Sequence, residues 1–160
     1  MSHTVLHDTF HLDRTYDASV AEVWHAWSDP ELRARWFRAP DGWELIERTL
    51  DLRAGGREVL RGRMPNGTET HFASKFHVVA PERYAISAYD MHVGGAMMSV
   101  SLATVQLEPA GRQCRLRYSE QGAFFDGNPK SPEGRMKGTS WHYDNLGNVL
   151  AGKPIGKPHW

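Results

Sequence analysis

Apolar residues recur along this chain with two periods, and the change from one to the other divides it into elements. Phe10, Leu12 and Tyr16 share one face at period two, which predicts an opening strand. Ser19-Val-Ala-Glu22 has the S-x-x-E form of a capping box. Val20, Val23, Trp24 and Trp27 then recur at i, i+3, i+4 and i+7, one face of a helix, and Trp24 on this stripe is assigned to the core. Asp29-Pro30 ends that helix and starts a second one, because Asp caps and Pro suits the first helical position. Leu32, Trp36 and Phe37 give the second helix an apolar side, and Pro40-Asp41-Gly42 stops it.

From Trp43 to Gln121 the period is that of strands. The segments run Trp43–Leu52, Arg57–Met64, Glu69–Val79, Tyr84–Met91, Met97–Leu107 and Gln113–Gln121. In the third of them Phe72, Phe76 and Val78 fall in phase. The breaks are short, and Asn66-Gly67 is a hairpin signal because it accepts positive φ angles. Consecutive strands with short turns imply an antiparallel meander. A Gly/Pro loop over 122–134 carries Phe124 and Phe125, and a last helix runs from Gly134 to Ala151. Gly138, Gly147 and Gly152 weaken that helix by about 1 kcal/mol each relative to Ala, so it needs tertiary packing.

This order predicts an α+β fold: a curved antiparallel sheet of about seven strands wrapping a long C-terminal helix, with two short helices after the first strand. A curved sheet cannot touch the helix everywhere. The gap becomes a cavity, the default ligand site.

Composition sharpens this picture. With 160 residues, one domain is expected, placed at 8–152 with 153–160 as a tail. Nineteen Lys plus Arg balance nineteen Asp plus Glu, which argues against nucleic acid or an anionic membrane as partner. No apolar run approaches the roughly 18 residues of a membrane span. The opening, Met1 to Asp8, has no basic segment followed by an apolar run, so a cytoplasmic protein is expected. One Cys, Cys114, excludes an intramolecular disulfide and reads as a small core residue. Six Trp in so small a neutral chain have no evident reason on the surface, which leaves the interior as the working surface.

Several motifs, taken together in order and spacing, resemble the START-like, helix-grip (SRPBCC) superfamily of birch-pollen-allergen-type proteins and polyketide cyclases. They are Val23-Trp24-His-Ala-Trp27-Ser-Asp-Pro30, Arg35-Trp36-Phe37, Asp51-Leu-Arg53-Ala-Gly55-Gly56, Pro81-Glu-Arg83 and Gly138 to Leu150. More narrowly, the chain is similar to bacterial homologues of the activator of heat-shock-protein ATPase. The resemblance implies a helix-grip domain and a family whose roles span lipid carriers, hormone receptors, cyclases and chaperone partners.

Strong catalytic signatures are missing: no phosphate loop, no H-E-x-x-H, no G-x-S-x-G and no dinucleotide fingerprint. The Gly55-Gly56 pair reads as a turn. Nine His are present, but His71 and His77 are too far apart to share an ion unaided, and Asp90 with His92 reads as a solvent-facing strand end. No metal and no cofactor are expected. Glu120 shares a strand face with Leu116 and Tyr118. On an apolar wall it would be a weak candidate for acid–base catalysis, but the expectation is a solvated residue at the cavity mouth.

The ligand-binding candidates are Trp27, Trp36, Phe37, Phe72, Phe76, Tyr89, Tyr118, Glu120, Phe124 and Trp141. Phe124 and Phe125 are read as a lid, and one of Trp36 and Phe37 is expected to face the cavity entrance. Trp43 and Trp160 find no role. The leading expectation is a small hydrophobic or aromatic ligand, with polar groups read by Tyr89, Tyr118 and Glu120. An enzyme of polyketide cyclase or hydrolase type and a chaperone-interaction module are the alternatives, and homodimerisation stays open.

Overall fold

A computed structural model describes residues 4–160. Residues 1–3, part of the opening segment read for a leader, lie outside the described residues. The elements follow in the order β1 (Leu6–Tyr16), α1 (Val20–Ser28), α2 (Pro30–Trp36), β2 (Glu44–Leu50), β3 (Arg57–Arg63), β4 (Glu69–Ala80), β5 (Tyr84–Val93), β6 (Ala96–Ala110), β7 (Gln113–Phe124) and α3 (Ser131–Leu150). The seven strands form one antiparallel sheet in the order β1-β7-β6-β5-β4-β3-β2.

β1 and β2 are neighbours in sequence but lie at opposite edges of the sheet. Helices α1 and α2 carry the chain between them. Both pack on α3, and α3 reaches β1 and β7, so the three helices form one layer over the sheet. The first helix starts as its sequence dictates: Glu22 N donates to Ser19 Oγ at 3.1 Å, and Ser19 N donates to Glu22 Oε1 at 3.2 Å. The second is capped by Asp29, whose carboxylate accepts from Leu32 N at 3.0 Å, with Pro30 at its start.

The core lies where β1, β7 and β6 meet the helices. Val23, Leu116, Cys114 and Leu146 are completely buried there, and Trp24 is half-buried and stacked on Trp27 at 5.3 Å. Tyr16 locks α3 to β1 by donating to the Tyr143 carbonyl at 2.7 Å. Its ring also lies against Gly147, where an added Cβ would sit 3.2 Å from it, so this glycine permits the close approach of helix and strand.

Three sequence expectations change. Val78 does not share the face of Phe76, because the register of β4 against β5 shifts between them and leaves Val78 exposed. Phe124 is not in a lid loop: β7 continues through it, paired with Leu6 of β1 and Ser99 of β6, and its ring is buried. Trp43 precedes β2 rather than opening it.

Two glycines make opposite demands. In the β2–β3 turn, a Cβ on Gly56 would overlap the Asp51 carbonyl oxygen, while the Gly56 carbonyl accepts from Phe76 N at 2.9 Å. Gly138, inside α3, faces open space. Gly138→Ala should therefore raise stability by about 1 kcal/mol, and Gly56→Ala should lower it by roughly 2 kcal/mol or more. Urea denaturation of the two variants beside the parent measures both signs.

Candidate functional site

The helices and the inner face of the sheet enclose a cavity of about 760 Å³, within the range of roughly 300–1,000 Å³ common for small-molecule sites. Of the sequence-stated candidates, Trp27, Trp36, Phe37, Phe72, Phe76, Tyr89, Tyr118 and Trp141 border it. Their polar atoms are largely engaged by protein. Trp27 Nε1 donates to Tyr143 Oη at 3.4 Å, Trp36 Nε1 to the Ala26 carbonyl at 2.9 Å, and Trp141 Nε1 to the Gly156 carbonyl at 3.0 Å. These indoles therefore present apolar ring surface to the cavity. Trp36 and Phe37 both border the space, Trp36 fully buried and Phe37 half-buried. Phe37 packs edge-on against Phe72 with centroids 5.1 Å apart.

Glu120 is not solvated at the mouth. It is 1% exposed and lies behind the wall, outside the residues that border the cavity. Its carboxylate accepts from Tyr118 Oη at 2.6 Å, Tyr89 Oη at 2.8 Å and Arg135 Nη1 at 3.2 Å. Arg135, on α3, also donates to Ser99 Oγ at 2.7 Å and lies over the rings of Tyr89 and Phe124. A buried carboxylate needs such partners, and it draws the strand residues inward to supply them. On β6 the inward positions include Ser99 and Ser101, while Val100 and Leu102 face out, the reverse of a simple hydrophobic alternation. Burial and the adjacent Glu120 charge push the Tyr89 and Tyr118 hydroxyls far above the usual phenol range. Both phenols stay protonated and aimed at Glu120. Phe124, held beneath Arg135, is also outside the cavity lining.

A second buried pair was not foreseen. Arg33 of α2 and Glu58 of β3 meet in a two-pronged contact at 2.6 and 2.9 Å, and Arg33 Nη1 donates to the Trp27 carbonyl at 3.0 Å. The guanidinium is 4.4 Å from the Trp27 ring centroid and 5.0 Å from that of Phe37. The available signal was positional: Arg33 precedes Trp36 by three, a charge on the apolar side of the helix.

His142, also unforeseen, borders the cavity from α3. Its Nδ1 lies 3.1 Å from the Trp36 carbonyl, which can only accept, so Nδ1 carries the proton. Burial pulls its pKa down to about 4, against a smaller opposing effect of that hydrogen bond, and nearby Arg33 and Arg48 lower it further. The ring is neutral at pH 7, and its Nε2 is a bare acceptor. The tail packs back as well: Gly156 N donates to Asn145 Oδ1 at 2.9 Å, and Trp160 meets Trp141 edge-on at 5.5 Å. Trp160 and Trp43 both border the cavity. Asp90 and His92 have no third ligand: among the described residues no group of three metal-binding side chains occurs.

A curved seven-stranded antiparallel sheet, closed over a cavity by a long C-terminal helix, defines a helix-grip domain of the START-like class. Residues 17–151 match the family described as activator of Hsp90 ATPase homolog 1-like protein, and the chain belongs to that family. A crystal structure of a Rhizobium loti protein is 39% identical, spans 92% of this chain and 99% of its own, and superposes with a TM-score of 0.84. A Rhizobium leguminosarum protein is 29% identical over 96% of this chain and 100% of its own, with a TM-score of 0.89. CalU16 from Micromonospora echinospora shares the fold at 22% identity and a TM-score of 0.66, with 93% of this chain and 85% of that one covered. Comparison with curated proteins finds no match.

Two outcomes follow from the buried ionisable groups. Glu58→Gln should cost about 3 kcal/mol in denaturant unfolding, because Arg33 loses its counter-charge while still buried. The double variant Arg33→Met, Glu58→Leu should lose less than that single change. The second outcome concerns acid. His142 titrates near 4 when folded against 6.5 as its ordinary value, so between those values the unfolded chain binds the extra proton. Its contribution to stability is complete above about pH 6.5 and declines as the pH falls toward 4. Because the ring edge reaches the cavity, a loss of about 1–2 kcal/mol by pH 5 is expected rather than the full shift. Thermal unfolding at pH 7 and pH 5 should show a smaller drop for His142→Gln than for the parent.

Proposed function

We propose that this protein binds a small hydrophobic or aromatic molecule in its internal cavity. The observation that carries the reading is the cavity itself: about 760 Å³, walled by aromatic rings whose own donors are mostly engaged elsewhere. Such a wall offers ring faces and little competition from unsatisfied polar groups, which suits an apolar guest. Membership of a cavity-bearing family supports the same reading.

The polyketide cyclase or hydrolase alternative loses Glu120 as its acid–base residue, since both carboxylate oxygens are already accepting hydrogen bonds. The chaperone-interaction alternative requires a partner surface outside the cavity. The exposed Val100 and Leu102 on the outer face of β6 are where such a surface would fall.

One substitution separates the readings. Gly138 borders the cavity and faces open space, so Gly138→Leu fills part of it with a good helix former. Titration of fatty acids and naphthyl compounds, followed by Trp fluorescence, should saturate and raise the melting temperature of the parent. In Gly138→Leu the binding should fall by roughly tenfold with the fold intact, whereas a chaperone complex captured on an affinity column would be unaffected. Absence of any saturable response in the parent would remove the ligand-binding reading.

A further inference from the structure

The cavity wall carries charged side chains, and nearly all are already neutralised. Arg33 pairs with Glu58, Arg38 with Asp41, Arg61 with Glu47 and Glu69, Glu44 with Arg63, and Arg135 with Glu120. Lys130, at the rim, is exposed to solvent. Arg48 is different. It borders the cavity, it is half-buried, and among the described residues it has no carboxylate within ion-pairing distance. Among the described residues its one side-chain hydrogen bond is Nη2 to the Phe37 carbonyl, at 2.8 Å. That contact caps a carbonyl at the end of α2 and leaves most of the five-donor guanidinium fork without a partner. Burial and the nearby Arg33 and Arg38 all disfavour its charge, and the nearby Glu58 is already committed to Arg33.

The surroundings of Arg48 are arranged along the sheet. Arg48 of β2 is opposite Leu60 of β3, Leu60 is opposite Phe72 of β4, and Phe72 is opposite Met91 of β5. Cross-strand partners present their side chains to the same face, and all four of these border the cavity. With strands about 4.8 Å apart, the row is roughly 14 Å long, cationic at the β2 end and apolar for the rest. The cationic end reaches the 37–43 connection through the Phe37 carbonyl, and that connection also borders the cavity. On the facing side, His142 hydrogen-bonds the Trp36 carbonyl, adjacent to the Phe37 carbonyl that Arg48 caps.

We infer that the ligand is an organic anion, an aromatic or acyl body with one acidic group, whose charge docks on Arg48 while its body lies along Leu60, Phe72 and Met91. The inference rests on the ligand-binding reading above and names its chemical class. Guanidinium suits this task, because its fork pairs with the planar oxygens of a carboxylate and related oxyanions.

A matched pair of fluorescent probes tests it. 8-Anilinonaphthalene-1-sulfonate and N-phenyl-1-naphthylamine share one aromatic frame, and only the first carries an anion. The parent protein should bind the sulfonate roughly tenfold more tightly than the neutral probe, an advantage that shrinks with added salt. Arg48→Gln should erase that advantage and leave the neutral probe within about twofold, and Arg48→Lys should keep part of it. Equal affinity of the parent for both probes would overturn the inference whatever the variants do. So would an equal loss of both probes in Arg48→Gln, which would make Arg48 only a cap on α2. Failure of both probes to bind the parent would instead remove the ligand-binding reading on which the inference rests.

Discussion

Two buried guanidinium–carboxylate pairs act as struts between the helix layer and the sheet, and the rest of the structure is arranged around them. Arg33 ties α2 to Glu58 on β3, and Arg135 ties α3 to Glu120 on β7. Neither pair can be pulled apart inside the protein without leaving a charge uncompensated, at a cost of several kcal/mol. Neither can be collapsed further, because the charged groups already touch. The pairs thus fix the distance between helices and sheet at two places. The space between those places stays open, and it is the cavity.

The struts also dictate the chemistry of the wall. Around the Arg135–Glu120 pair, the sheet supplies two phenols to the carboxylate and two serine hydroxyls to the guanidinium, with Ser99 and Ser101 of β6 turned inward and Val100 and Leu102 left to solvent. Around Arg33, the rings of Trp27, Trp36 and Phe37 surround the guanidinium, and their remaining surface faces the cavity. The polar groups that sequence reasoning offered to a ligand are thereby used by the protein itself. Arg48 keeps most of its donors free of protein partners, and it and His142 hydrogen-bond the adjacent Phe37 and Trp36 carbonyls at the end of α2.

The six Trp residues now have places. Trp24 stacks on Trp27 at the edge of the core. Trp27, Trp36, Trp43, Trp141 and Trp160 all border the cavity, which explains why a small neutral chain carries so many. Three of the five have an indole N–H bonded to protein, so they contribute apolar surface with little desolvation cost.

Local chemistry alone determined a good deal. Ser19 and Glu22 start α1, Asp29 and Pro30 start α2, and Asn66-Gly67 turns β3 into β4, because capping and turn geometry depend only on adjacent residues. The order of elements then implied a curved sheet wrapped on the last helix, with a gap between them. Tertiary structure decided where the charges went. Glu120 looked solvated because a lone carboxylate is rarely buried, and nothing near it in sequence announces Arg135, which arrives on a different element 15 residues later. Glu58 and Arg33, 25 residues apart, met for the same reason. Phe124 likewise looked like a loop residue until pairing with Leu6 and Ser99 extended β7 through it. A side chain's own type sets what partner it needs, but only the folded chain brings that partner within hydrogen-bonding distance.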